Sequence, residues 1–143
     1  MLTLQFGENN LKETNDYKLV LTDPAQLAGL PQSAIDAAAE TAKEKGVEGW
    51  VFTLQAPSYS PFMTYASNRD LRCKLYMAYN TKCTHDNETN NLEIVKKLVN
   101  TRLAIAQLLG YNSFAEYNLQ ERMAENSGNV YKPVSYTHLR AHE

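Results

Sequence analysis

Apolar and polar positions change their spacing several times along this chain. Leu2-Thr3-Leu4-Gln5-Phe6 alternates before Gly7, and Tyr17-Lys18-Leu19-Val20-Leu21 is apolar enough for a half-buried strand. Both read as short extended segments, with a helical turn or two over Glu8 to Asn15 that places Leu11 inward. Asp23 before Pro24 reads as a helix cap and a first helical residue. A second helix spans Pro31 to Lys45, with Leu30, Ala34, Ile35, Ala38 and Ala42 on one face and Gly46 as its left-handed stop.

Gly49 to Leu54 carries Trp50, Phe52 and Leu54 on one side and reads as the best strand in the chain. Ala56 to Pro61 follows as a loop holding two prolines and Tyr59. Ser67 with Asp70 forms a capping-box pattern before a helix bearing Leu71, Leu75, Ala78 and Tyr79. Thr81 to Asn91 is polar and reads as a loop. The longest helix, Leu92 to Leu109, is capped by Asn90 and Glu93. Val95, Leu98, Val99, Arg102 and Ala106 share a stripe that Ile94, Ile105, Leu108 and Leu109 widen, so burial on more than one side is expected. Ser113 and Glu116 open a last helix, with Phe114, Tyr117 and Met123 inward and Ser127-Gly128 as its end. The fold class is mainly α with one small strand pair.

Composition narrows the function without naming one. Fourteen Lys and Arg against sixteen Asp and Glu give a formal charge of −2, which argues against broad binding to nucleic acid or anionic membrane. A hydrophobic content of 43% excludes a mostly disordered chain. No apolar run approaches the about 20 residues that cross a bilayer. The N-terminus lacks the basic start and apolar stretch of a signal peptide, so a cytoplasmic location is expected. Cys73 and Cys83 make neither a disulfide framework nor a zinc pair.

Chemical motifs are sparse. His138 and His142 are spaced like two ligands of a zinc-peptidase helix, but Leu139 stands where the glutamate base belongs. Cys83 and His85 lack further ligands of suitable spacing. No GxSxG and no glycine-rich phosphate loop occurs. Asn87-Glu88-Thr89 is a chance glycosylation triplet. Tyr59, Tyr65, Tyr76 and Tyr79 gather around the proline loop and the helix after it. Core and rim packing is their plain reading, and a polar aromatic wall of a peptide channel is the sharper one.

The run Gly49-Trp50-Val51-Phe52-Thr53-Leu54-Gln55-Ala56-Pro57-Ser58-Tyr59 resembles the thimet oligopeptidase and peptidyl-dipeptidase family of zinc metallopeptidases. Asn68 to Arg72, Tyr76 to Thr81, Asn91 to Val99, Arg102-Leu103-Ala104, Leu108 to Tyr111 and Phe114 to Tyr117 carry the same likeness. Phe6 to Asn9 and Leu27 to Pro31 extend it upstream, so that it covers about residues 2–133. Within the family, the bacterial peptidyl-dipeptidase branch is expected to be nearest, with oligopeptidase A second.

That resemblance implies a helical clamshell around a channel for short peptides, in which zinc-bound water and a glutamate base cleave the peptide bond. The ligand-bearing His-Glu-x-x-His helix has no counterpart here. Residues 1–133 are therefore expected to be part of the channel-wall domain, cut at both ends. The chain alone is expected to bind no zinc and to be inactive, with no catalytic and no metal residue. Tyr59 and Tyr65 are the candidate substrate-channel residues. Residues 134–143 resemble translated adaptor sequence and are expected to be a foreign, disordered tail. The other reading is a free-standing helical module that binds a peptide or a protein.

Overall fold

Two three-residue strands organise the first part of the chain. In the computed structural model, which describes residues 1–132, β1 (Leu19–Leu21) pairs antiparallel with β2 (Trp50–Phe52), Leu19 opposite Phe52 and Leu21 opposite Trp50. Leu19 and Leu21 point into the core while Val20 faces out, the two-residue period of a strand with one wet face. On β2, Val51 and Phe52 are both buried. Gly49 makes the turn into β2 possible, since its φ is +98° and a Cβ there would run into the Leu21 carbonyl.

Four helices accompany this sheet: α1 (Leu2–Asp16), α2 (Gln32–Glu44), α3 (Ala56–Tyr65) and α4 (Arg69–Asn80), with a 3-10 turn at Pro24–Leu27. Of these, α2 and α3 pack on it, and α4 packs on α3. The Asp23 side chain accepts from the Ala25 N–H, the cap expected there. α2 packs on β2 through its alanine face, where Ala38 and Ala42 are buried, and it ends at Gly46 with φ +64°. Phe62 of α3 and Leu75 of α4 are fully buried, and the Phe52 and Phe62 rings meet edge to face at 4.6 Å.

Four expectations fail in this region. Leu2 to Phe6 is helical, not extended. Its alternation is too brief to outweigh the helix formers that follow, and Leu11, expected inward, is 61% exposed. Ala56 to Pro61 is helix, not loop. Pro57 sits in the first turn, where its missing N–H costs nothing, and Tyr59, Phe62, Met63 and Ala66 form an apolar face that holds the helix despite Pro61. The cap of α4 is Asn68, whose Oδ1 accepts from the N–H groups of Asp70 and Leu71. Ser67 is engaged elsewhere, its N–H donating to the Ala28 carbonyl at 2.8 Å.

The chain divides into two compact units, residues 1–94 and 95 onward, the boundary falling in the first turn of α5 (Leu92–Leu108). The second unit continues into α6 (Phe114–Leu119). Ser113 caps α6 by accepting from Glu116 N–H, and Glu116 Oε2 accepts from Asn112 N–H. Phe114 and Tyr117 meet as rings, Arg102 lies over Phe114 at 5.4 Å, but Met123 is fully exposed. The helix ends at Leu119, and residues 127–132 are helical again where an end was expected. The α5 stripe is not buried as its apolarity suggests: Val95, Val99, Ile105, Leu108 and Leu109 are exposed. The tail expected at 134–143, with His138 and His142, lies outside the described residues.

Candidate functional site

The two sequence-derived site residues both lie on α3. Tyr59 is half-buried against the core, its ring stacked on Tyr79 of α4 with centroids 4.3 Å apart. Burial raises its hydroxyl pKa, and Tyr79 and Tyr76 add to the shift. Lys82 Nζ stands 4.3 Å above the Tyr79 ring. Tyr65 ends the helix and is 57% exposed. Six residues along a helix turn a side chain by about 240°, so Tyr59 and Tyr65 leave α3 in directions about 120° apart. Four tyrosines close in sequence thus resolve into a stacked pair, Tyr59 and Tyr79, with Tyr65 pointing elsewhere.

A polar cluster at the end of α1 was not legible in the sequence. Glu13 Oε2 accepts from the Cys83 N–H at 2.6 Å, and Oε1 accepts from Asn87 Nδ2 at 3.1 Å and from the Thr89 hydroxyl. Lys82 Nζ donates to the Thr14 hydroxyl, and Asn91 Nδ2 to the Phe6 carbonyl. The loop after α4 is thereby tied to α1 along most of its length. Burial works to raise the Glu13 pKa, but the bonds from Thr89, Cys83 and Asn87, with His85 nearby, outweigh it and hold the carboxyl below its ordinary value. These partners lie 70 to 76 residues apart in sequence, and no local pattern announces them.

Beside this cluster a cavity of about 510 Å³ has a floor of Tyr17, Leu54 and Ala78 and a rim of mixed charge, including Lys12, Asp16, Lys82 and His85. A second, of about 450 Å³, lies where the small side chains of Ala34, Ala37 and Ala38 face β2 and the start of α3. Gln55 Nε2 donates to Asn15 Oδ1 at its edge.

Among the described residues, no group of three or more His, Cys, Asp or Glu is placed to hold a metal ion. Cys73 is exposed and Cys83 buried, both as free thiols. Burial first, and Glu13 second, push the Cys83 thiol up, away from nucleophilic reactivity. No helix among the described residues is long and apolar enough to cross a membrane.

Comparison with known proteins gives these features a setting. Residues 62–142 match Peptidase family M3, a stretch that includes most of the ten residues expected to be a foreign tail. Oligopeptidase A of Haemophilus influenzae is 39% identical over 133 residues, covering 90% of this chain and 20% of that protein. Oligopeptidase A of Escherichia coli is 38% identical over 130 residues, covering 88% and 19%. Dipeptidyl carboxypeptidase of Escherichia coli is 33% identical over 125 residues, covering 87% and 18%. The two oligopeptidases A are the more similar of these three, the reverse of the expected order of branches. The chain spans about a fifth of the length of the curated relatives it matches. A family match over more than half the chain, in agreement with relatives aligned along nine-tenths of it, shows that this chain belongs to Peptidase family M3.

Proposed function

We propose that this chain serves the hydrolysis of short peptides as part of the helical wall of a zinc-dependent oligopeptidase or peptidyl-dipeptidase, in the cytoplasm. The observation that carries this reading is the family match, supported by 39% identity to an oligopeptidase A along nine-tenths of the chain. Residues 1–133 are the wall segment, and Tyr59 and Tyr65 are the residues we assign to peptide contact. A tyrosine offers a peptide both a flat apolar face and a hydroxyl, and Tyr65 is open to such contact.

The catalytic step is not assigned to these residues. A catalytic zinc needs three protein ligands and an open position, and the described residues bring no such set together. We read the chain by itself as binding no zinc and cleaving nothing, because the His-Glu-x-x-His pattern has no counterpart in its sequence. Nucleic acid and membrane are not among its partners in this reading.

Purified chain, incubated with a quenched fluorescent peptide and zinc, is expected to give no hydrolysis above background. Turnover abolished by a chelator would overturn the inactivity. For the tyrosines, titration of a short peptide is expected to shift the Tyr65 ring resonances, and unmoved rings would remove that assignment. A second reading, a free-standing module that binds a peptide or a protein, draws on the closed core of residues 1–94. Tight peptide binding by the chain alone, without turnover, would favour it.

A further inference from the structure

Residues 81–91, between α4 and α5, are bonded to themselves. The Asn91 N–H donates to the Cys83 carbonyl at 2.8 Å and closes the neck of the loop, and the N–H groups of Thr84, Asn87 and Asn90 each donate to a carbonyl within it. Such a loop keeps its shape when it moves, because its own bonds travel with it. Its attachment to α1 is polar. Glu13 accepts from the Cys83 N–H, from Asn87 Nδ2 and from the Thr89 hydroxyl, so one carboxylate holds both the neck and the far side of the loop. Lys12 and Glu88 pair across the same gap at 3.6 Å, but both are exposed and the pair adds little. α1 is itself lightly held: it buries no residue, and the main packing joins β1, β2, α2, α3 and α4. At the neck, Cys83 has φ +59°, a left-handed conformation that residues other than glycine keep only when their surroundings enforce it.

This loop is also one wall of the cavity of about 510 Å³, through His85, Asn87 and Thr89, over the floor of Tyr17, Leu54 and Ala78. The Cys83 thiol at its neck is 4% exposed. We propose that residues 81–91 are a strap that swings off α1 as one body while the core stays folded, with Glu13 as its clasp. Its opening uncovers the Cys83 thiol and widens the cavity down to its floor. Release breaks hydrogen bonds that water can replace, since Glu13 is only partly buried, and exposes little apolar surface. Opening the core would instead expose Phe52, Phe62 and Leu75, all fully buried. The strap is therefore the opening of lower free energy. The inference is independent of the peptidase reading, and its test reads no hydrolysis.

The test labels Cys83 in the whole 143-residue chain with an aromatic disulfide, dithionitrobenzoate, at about pH 8, where a thiol is partly ionised. Cys73 is exposed and is removed by Cys73→Ser, so that a single thiol reports. Labelling is followed at urea concentrations below the unfolding transition. Its rate is expected to depend on urea far less than global unfolding does, because the slope follows the surface exposed and the strap exposes little. Glu13→Gln is expected to raise the rate about tenfold, the ratio set by weakening hydrogen bonds to a charged group, and Glu13→Ala, which removes the acceptors, to raise it further. Phe62→Leu loosens the core without touching the strap and should leave the rate within about twofold, while lowering the urea midpoint. A urea slope equal to that of global unfolding overturns the proposal. So does a rate that rises in Phe62→Leu in proportion to the stability lost, or one that neither Glu13 variant changes. Labelling of the parent as fast as the urea-unfolded chain overturns it too, since the strap would then not be closed.

Discussion

Residues 1–94 and the residues from 95 onward carry similar fractions of apolar residues, to opposite effect. Among the described residues, every buried hydrophobic side chain except Ala106 belongs to the first unit. There a two-stranded sheet gives the helices a common surface, and Phe52, Phe62 and Leu75 meet at full burial. Among its described residues the second unit has helices but no strand, and many of its large side chains stay in water, with Leu108 at 87% exposure and Met123 at 100%. The lesson is that apolarity along a helix states what the helix can bury, while a second element decides whether it does. The first unit holds its own core, and the second leaves most of its described apolar side chains exposed.

The largest expected effect separates the two directly. Phe62→Ala removes a fully buried ring and should cost about 3–5 kcal/mol. Val99→Ser, at an exposed position, should stay within about 0.5 kcal/mol of the parent. Denaturant unfolding followed by the single tryptophan, Trp50 in β2, reads Phe62→Ala, and far-ultraviolet circular dichroism, which sees the helices of both units, reads Val99→Ser as well. Comparable losses in the two would mean that the second unit buries Val99 after all, and the contrast would fall.

Much of the first unit was legible because its apolar periods and caps are local. Ala38 and Ala42 mark the buried face of α2, Leu71 and Leu75 that of α4, and Asp23 and Ser113 cap where a short polar side chain precedes a helix. The strand pair was legible for the same reason. α1 was legible only over Glu8 to Asn15; its first turns were not, since no residue of α1 is buried and polar bonds that link Asn9 and Glu13 to residues near 90 attach it. α3 was hidden by its prolines, whose local preference is overruled by the burial of Phe62. The candidate site divides likewise. Tyr59 and Tyr65 could be picked out by composition, but the stacking of Tyr59 on Tyr79, and the direction of Tyr65, depend on how α3 and α4 meet.

The polar attachment of α1 gives the next effect, one that depends on pH. The folded-state pKa of Glu13 lies below the ordinary value of 4.5, so the unfolded chain binds its proton more readily. The stabilisation is complete above that ordinary value and is lost as pH falls through the lowered folded one. Glu13→Gln should therefore destabilise the first unit by about 1.5 kcal/mol near neutral pH, the low end of the range for hydrogen bonds to a charged group, because the carboxylate is only partly buried. The difference from the parent should shrink in acid. Unfolding free energies measured from pH 7 to pH 3 give the curve. A gap that stays constant over this range would show that the loop after α4 does not depend on an ionised Glu13.

The smallest effect tests whether the second unit has any order of its own to lose. Ser113 accepts from the Glu116 N–H at 3.2 Å and satisfies one of the open donors of α6. Ser113→Ala leaves that donor to water and should cost about 1 kcal/mol. Global unfolding of the first unit would barely register this. Hydrogen exchange resolves it residue by residue, because protection of an amide reports the local opening free energy. Amides of Phe114–Leu119 should exchange about fivefold faster in the variant, the ratio that about 1 kcal/mol sets, while those of β1 and β2 keep their rates. Equal acceleration in both regions would mean that the two units open together, and the cap would then belong to one cooperative structure. Acceleration confined to α6 would leave the first unit as the part that stands on its own core.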